Sequence, residues 1–331
     1  MGILITKSLS KPVAQIFESA SGVGKWQAEK PALPQRTRRW VMPLLLVGGL
    51  GISSPQLRAQ TIVAPSGRTL FSGASLVRSS VEVKHSSLRA DGKSVDITQY
   101  VPSLAVVYGF YPKWMVIVAQ PYVFVDVTSR MGDGAQRENL NGLADTRLFI
   151  QYDGLYSRNT PGGLTRLSGV FGLQVPTGAE RFSTGAVEYT GGLIFEKAVK
   201  LKYVFAGDFE YTVATENRQG VSMGDRARFD GALARFVISQ DNAPHGASWL
   251  RKAFDRMFRY GTYFILEFNG TWQAHARTHG NQIANTGGAT LSISPGIQYF
   301  LNNRFLVEFS APIPAIKALN GTQPEPNSTF L

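Results

Sequence analysis

The chain has 331 residues, 44% of them hydrophobic, with 34 glycines and no cysteine. The hydrophobic content is that of a folded protein, and the lack of cysteine excludes disulfides, thiol catalysis and Cys-ligated metals. The formal net charge is +11, of which residues 1–59 contribute +6. In the rest of the chain basic residues are scattered among acidic ones, so the charge predicts no nucleic-acid surface.

The amino-terminal segment has the three parts of a secretory signal peptide. Basic residues at 36–39 precede an apolar run at 40–52, and a small residue, Ala59, follows at a suitable cleavage point. A membrane anchor is the alternative, but the run is shorter than the roughly 20 apolar residues that a spanning helix needs. We therefore divide the chain into an N-terminal extension with signal peptide, 1–59, and one domain, 60–331.

Eleven segments of this domain are predicted to be β-strands, most of them from an alternation of apolar and polar residues. They are residues 70–88, 96–109, 114–127, 143–152, 164–175, 187–196, 201–213, 226–238, 260–272, 290–299 and 305–310. The alternation is clean where Phe205, Phe209 and Tyr211 alternate with Asp208 and Glu210. The third segment is apolar on both faces, so its orientation stays open.

The connections between these segments are expected to alternate between the two ends of the sheet. The longer ones, predicted outside the cell, include 128–142, 176–187, 214–225 and 273–288. The short ones, predicted on the periplasmic side, include 109–113, 197–200 and 301–303. Residues 153–163 and 239–258 break this rule. Within the second, residues 249–258 have helical spacing, which indicates either a loop helix, the favoured reading, or a helix lying in a membrane interface.

An alternating strand has two possible settings, a soluble sandwich or a membrane barrel. Aromatic residues near strand ends, such as Tyr260, Trp272 and Tyr299, are typical of barrels whose apolar face meets lipid. We predict an all-β fold, a membrane-spanning antiparallel up-and-down β-barrel of about 12 strands in the bacterial outer membrane. Because such barrels have an even number of strands, a twelfth strand is expected after Pro324. The sequence ends at Leu331, so this strand is predicted to be truncated and to leave two unpaired edges.

Charged residues on the polar faces of the strands are predicted to line the lumen, because a Lys or Arg facing lipid costs about 2–4 kcal/mol at mid-membrane. They are Asp145, Arg147, Arg166, Lys202, Asp208, Glu210, Arg226, Arg228, Asp230, Glu267 and Glu308. A structural ladder of opposite charges and a selectivity filter both remain open. On the surface of a soluble β-protein the same residues would simply face water.

Catalytic and metal chemistry is not predicted. His275 and His279 have the four-residue spacing of metal ligands, but they fall in a Gly/Asn-rich loop without a third ligand. His85 and Ser86 are neighbours on a strand and point to opposite faces, so they cannot form a hydrolytic pair. We predict no enzyme activity, no metal and no cofactor.

Four motifs in chain order resemble a known outer-membrane family. They are residues 141–145 (Asn-Gly-Leu-Ala-Asp), 173–178 (Leu-Gln-Val-Pro-Thr-Gly), 294–300 (Ser-Pro-Gly-Ile-Gln-Tyr-Phe) and 319–323 (Leu-Asn-Gly-Thr-Gln). The family is named for the meta-cleavage pathway of phenol degradation, and the resemblance covers roughly residues 95–323. It implies an outer-membrane channel, often linked with uptake of aromatic compounds, and a terminal strand after the last motif.

The predicted function is a channel or transporter for passive uptake of small hydrophobic or aromatic molecules. The expected partners are outer-membrane lipid and those solutes, with no nucleic acid, and the oligomeric state stays open. The alternative is a non-transporting outer-membrane barrel with a structural or surface-interaction role. A soluble exported β-protein is the third possibility.

Overall fold

A computed structural model describes residues 67–90, 93–131, 134–200, 202–237, 261–301 and 305–331. The predicted signal peptide, the helical segment 249–258 and the turn at 302–303 lie outside these residues. Within them, no helix is long and apolar enough to cross a membrane.

All regular elements of the described residues are strands. They are β1 (Ser75–Ala90), β2 (Lys93–Tyr111), β3 (Trp114–Met131), β4 (Gly134–Leu143), β5 (Thr146–Thr160), β6 (Gly163–Val175), β7 (Glu188–Val199), β8 (Tyr203–Ala214), β9 (Val221–Ser222), β10 (Arg226–Val237), β11 (Thr262–Gln273), β12 (Arg277–Thr278), β13 (Asn281–Gln282), β14 (Gly288–Phe300), β15 (Leu306–Ser310), β16 (Ile313–Leu319) and β17 (Glu325–Phe330). We call the strands of five or more residues the long strands, and each of the eleven predicted segments contains or overlaps one of them.

The long strands form one antiparallel sheet with twelve positions. The order is β15, β14, β11, β10, β8, β7, β6, β5, β3, β2, β1 and β17. β4 continues β5 on the same side of β3, and β16 continues β15 on the same side of β14. The short strands β13, β12 and β9 form a small separate sheet between two connections. The predicted all-β, twelve-strand up-and-down barrel is thus confirmed.

The twelfth strand is short, but it is present and paired on both sides. β17 pairs with residues 83–87 of β1. On its other side, the amide and carbonyl of Leu331 exchange hydrogen bonds with those of Ser310, at 2.9 and 2.8 Å, and Thr329 N donates to Pro312 O at 3.4 Å. The prediction of two fully unpaired edges is therefore wrong, because six residues of strand already join the first and last parts of the sheet.

Two predicted loops are strands instead. β3 reaches Met131 and turns back into β4, and β5 continues to Thr160. Most of β4 is exposed on both faces. A membrane strand needs only about 9–11 residues to cross, so the 18-residue β3 and its hairpin partner extend beyond the apolar layer. Both faces of such an extension meet water, which removes the alternation from which a strand is recognised.

The connections divide the sheet into a short-turn end and a loop end. At the short-turn end β2 joins β3 through Pro112 and Lys113, and β5 joins β6 through two residues. Lys113 adopts a positive φ of 69°, which a tight turn requires. At the loop end lie the connections 176–187, 215–225 and 274–287. The predicted alternation of short and long connections is confirmed at these positions.

Candidate functional site

The strands divide their side chains between two faces of very different character. On β8, Phe205 and Phe209 are 45% and 52% exposed, whereas Asp208 between them is 7% exposed. The same division recurs along the sheet. The face that we call the buried face carries Gln151, Asp153, Ser168, Glu188, Glu196, Asp208, Asp230, Glu267, Ser294, Gln298 and Ser310, all nearly inaccessible. Polar groups therefore occupy the inside of this sheet, the reverse of a soluble protein.

The opposite face is a belt of large exposed apolar side chains. It includes Phe171, Leu193, Phe195, Phe205, Phe209, Phe229, Leu233, Phe264, Leu266, Phe268, Ile293, Val307 and Phe309. Contiguous exposed apolar surface of this extent is not stable in water and marks a surface covered by lipid or protein. An apolar belt around a closed antiparallel sheet is the arrangement of outer-membrane barrels.

Arg228 is the centre of the largest charge cluster on the buried face. Its guanidinium lies 3.5 Å from Asp208 Oδ2, 3.3 Å from Glu210 Oε1 and 3.1 Å from Asp230 Oδ2. Cross-strand register explains the cluster, since Arg228 is opposite Glu210 and Asp230 is opposite Asp208. One cation is shared by three carboxylates, so the cluster has a formal charge of −2 when all four groups are ionised.

Neutral side chains extend this cluster onto the next strands. Asn269 Nδ2 donates to Asp230 Oδ1 at 3.1 Å, and Ser294 Oγ donates to Asn269 Oδ1. Glu267, next to this pair along β11, has no accessible surface. The network thus joins β8, β10, β11 and β14 across the buried face.

Two further ion pairs lie on either side of this network. Arg226 pairs with Glu188 across β8. Glu308 on β15 lies 2.9 Å from the Arg78 guanidinium of β1 and accepts a 2.6 Å hydrogen bond from Gln298. The second pair links the first strand of the sheet to one of the last. Opposite charges are therefore distributed around the whole buried face.

The remaining predicted residues have different surroundings. Arg166 Nη1 lies 3.0 Å from Asp153 Oδ2 on the adjacent strand, and Arg147 Nε donates to Gln174 Oε1 at 3.2 Å. Asp145 accepts hydrogen bonds from Gly178 N, Thr184 N and Thr184 Oγ1, so it fixes the connection 176–187. Lys202 lies in the exposed turn before β8 and joins none of these pairs.

Several partners in these pairs were not selected from the sequence. They are Arg78, Asp153, Glu188, Asn269 and Gln298, and also Glu196, which lies 2.8 Å from the Arg68 guanidinium. Glu188 and Glu196 alternate with Tyr189 and Phe195 on β7, so the signal used on β8 could have found them. Asn269 and Gln298 were missed because only charged residues were selected, although both donate hydrogen bonds to carboxylates on the buried face.

Apolar clusters flank the polar network on the buried face. Near the short-turn end they comprise Leu164, Ala198, Val204, Ala234, Tyr263, Ile265 and Phe300. Near the loop end, Val95 and Ile97 of β2 pack with Val125 and Val127 of β3, against Phe182. The buried face therefore presents charged, polar and apolar surfaces along its length. No group of three or more potential metal ligands occurs in the part of the chain that the structure describes.

Comparison with known proteins gives a family match and matches among solved structures. A family model with the description "Putative MetA-pathway of phenol degradation" matches residues 94–313. Among solved structures, the COG4313 outer membrane channel from Pseudomonas putida F1 is similar, with a TM-score of 0.56 and 15% sequence identity. The likeness covers 81% of this chain and 97% of that one. No curated protein matches the chain.

Proposed function

Because this chain belongs to the family described as "Putative MetA-pathway of phenol degradation" and has the fold of an outer-membrane β-barrel, we propose that it is a channel for passive uptake of small hydrophobic or aromatic molecules. The family match agrees with the resemblance in the sequence motifs. The COG4313 protein of the same fold is a channel, and the family description refers to phenol degradation. Residues 1–59, as the proposed signal peptide, would supply the export that this location requires.

The observation that carries the proposal is the inversion of polarity across the sheet. The charged and amide side chains occupy the buried face, and the aromatic belt faces outwards. In our proposal the buried face lines the lumen. The predicted residues on it are Arg147, Arg166, Asp208, Glu210, Arg226, Arg228, Asp230, Glu267 and Glu308, whereas Lys202 lies in an exposed turn. Its valine-rich patch near the loop end offers an apolar contact to an aromatic ring, and polar groups follow deeper along the path.

A structural role is the second candidate, and the density of ion pairs favours it. Eight-stranded barrels are filled by side chains, and sixteen-stranded ones leave a wide channel. A twelve-stranded barrel with pairs such as Arg228–Asp230 and Arg78–Glu308 could also be closed inside. The two candidates differ in one measurable property, the passage of solutes.

Reconstitution into planar bilayers decides between them. We expect discrete single-channel steps, and in liposome swelling a faster entry of small aromatic alcohols than of sugars of similar size. Protein-free bilayers and heat-denatured protein are the controls. If correctly folded protein, shown by heat-modifiable gel migration, gives neither current nor swelling, the channel is excluded and the structural role stands.

Single cysteines test which face meets water. In the cysteine-free chain, we expect Asp208→Cys and Glu210→Cys to react with a small water-soluble thiol reagent in membranes. Phe205→Cys and Phe209→Cys should be protected, since successive residues of a strand point to opposite faces. Labelling after detergent denaturation, where all four should react, is the control. The reverse pattern would show that the aromatic face meets water and would contradict the lumen assignment.

A further inference from the structure

The residues just before β1 do not follow the wall of the sheet but lie against its buried face. We call residues 67–71 the mouth segment. Ser168 Oγ donates to Gly67 O at 2.5 Å, and Arg68 Nε lies 2.8 Å from Glu196 Oε1. Thr69 donates from its amide and its hydroxyl to Asp153 Oδ2, at 3.2 and 3.0 Å. Four polar contacts thus hold three consecutive residues on β5, β6 and β7.

The other end of the mouth segment lies against β2. A Cβ added to Gly109 would come within 2.2 Å of Phe71 O, so the two backbones touch there. β2 and β7 are separated by four strand spacings, or about 19 Å along the wall. The first and last Cα atoms of five residues are four steps apart, which is at most about 14 Å in an extended chain. The mouth segment must therefore leave the wall and cross the interior as a chord near the short-turn end.

The side chains that hold the mouth segment are shielded from solvent. Ser168 has no accessible surface and Glu196 is 2% exposed. Without Arg68, the Glu196 carboxylate would be buried without this counter-charge, which is costly. Asp153 is held in place from the other side by Arg166, at 3.0 Å. These contacts fix the mouth segment in one position on the buried face.

We propose that the mouth segment sets the size limit of the pore by narrowing the lumen near its short-turn end. This inference rests on the proposed channel function. Its chemistry predicts the kind of solute that passes: small and flat molecules move beside the chord, and bulkier ones of equal polarity are stopped. Releasing the segment should widen the passage without changing the charges of the wall.

A disulfide tests the position of the mouth segment independently of transport. A Cβ on Gly67 would lie 3.0 Å from Glu196 Cβ, slightly closer than in a disulfide, so Gly67→Cys with Glu196→Cys should crosslink after a small shift. The matched control is Gly67→Cys with Lys197→Cys, because Lys197 points to the opposite, exposed face of β7. We expect a shift in gel mobility, reversed by reductant, in the first pair alone. No crosslink in folded protein, or equal crosslinking in both pairs, would overturn the placement.

Weakening the contacts then tests the size limit. We expect the double variant Arg68→Gln with Thr69→Val to raise single-channel conductance about twofold, because the narrowest section limits conduction. It should also admit larger sugars in liposome swelling, in the order arabinose, sucrose, raffinose. Arg158→Gln with Thr165→Val makes the same chemical changes away from the buried face and should leave both readouts at the wild-type level. Heat-modifiable migration verifies that each variant is folded.

The outcomes separate this inference from the channel proposal. A crosslinked, correctly seated segment whose release changes neither conductance nor size limit would overturn the inference and leave the channel intact. If wild type and released variant are both silent, the channel fails and the inference fails with it. If wild type is silent and the released variant conducts, the native protein is not an open channel and the mouth segment closes its lumen, which overturns the inference of a size limit.

Discussion

Replacing Arg228 by glutamine is expected to lower the free energy of unfolding by about 2 kcal/mol. The guanidinium lies within 3.5 Å of Asp208, Glu210 and Asp230. Removing it leaves three carboxylates facing one another on the buried face. Breaking a fully buried pair typically costs about 3–5 kcal/mol. We expect a smaller loss, about 2 kcal/mol, because the Arg228 side chain is 37% exposed and solvent screens the repulsion among the carboxylates.

The urea midpoint of the protein in detergent or lipid vesicles measures this effect. Arg228→Lys keeps the positive charge and should recover most of the loss, although it cannot contact three carboxylates at once. Arg235→Gln, an exposed arginine of the same strand, is the matched control and should be neutral. Adding Asp208→Asn to Arg228→Gln should restore part of the stability. A loss as large in Arg235→Gln, or no rescue by the second change, would show that the cluster does not act through charge.

The same cluster shows how far the sequence predicts the interior. Alternation on β8 and β10 assigns Asp208, Glu210, Arg228 and Asp230 to one face, because successive side chains of a strand point in opposite directions. Which of them meet depends on register, which a hairpin turn of uncertain length does not fix. The assignment of these charged residues to the buried face was therefore predictable. The sharing of one arginine by three carboxylates was not.

Other features had no local signal at all. β4 lies beyond the apolar layer, where no alternation is required, and it was read as a loop. Asp145 opens a strand in the predicted pattern, but its hydrogen bonds go to backbone amides thirty or more residues later in the chain. The first strand was predicted to begin at residue 70, within the mouth segment, although β1 begins at Ser75. Nothing in residues 70–74 distinguishes a chain that lies along the wall from one that crosses the interior. The structure of β4, the hydrogen bonds of Asp145 and the path of the mouth segment all depend on partners that are distant in sequence.

The twelfth strand also depends on a distant partner. Six residues after Pro324 could be a loop or a strand, and pairing with β1 makes them a strand. The ladder starts opposite Ser87 and stops at Val83, opposite Phe330. Residues 75–82 of β1 extend past this point towards the short-turn end. There the Arg78–Glu308 ion pair connects β1 with β15.

Lengthening β17 by about eight residues should therefore stabilise the barrel strongly. Any backbone group of β1 or β15 that faces lipid without a partner costs several kcal/mol, and a continued strand would satisfy it. Since Phe330 points outwards and Leu331 inwards, the added residues should alternate from an apolar residue at the first position. Serine or glycine at the inward positions leaves room for Arg78 and Glu308. We expect a higher temperature for loss of heat-modifiable migration and a higher yield of inserted protein.

A control extension of equal length and hydrophobicity, with proline at alternate positions, cannot form the ladder and should give no gain. The double variant Arg78→Gln with Glu308→Gln supplies a second comparison. It removes the ion pair that connects β1 with β15, so it should destabilise the 331-residue chain more than the extended one. Equal stability of the 331-residue, extended and proline-containing chains would show that the backbone groups of β1 and β15 are already satisfied without further residues.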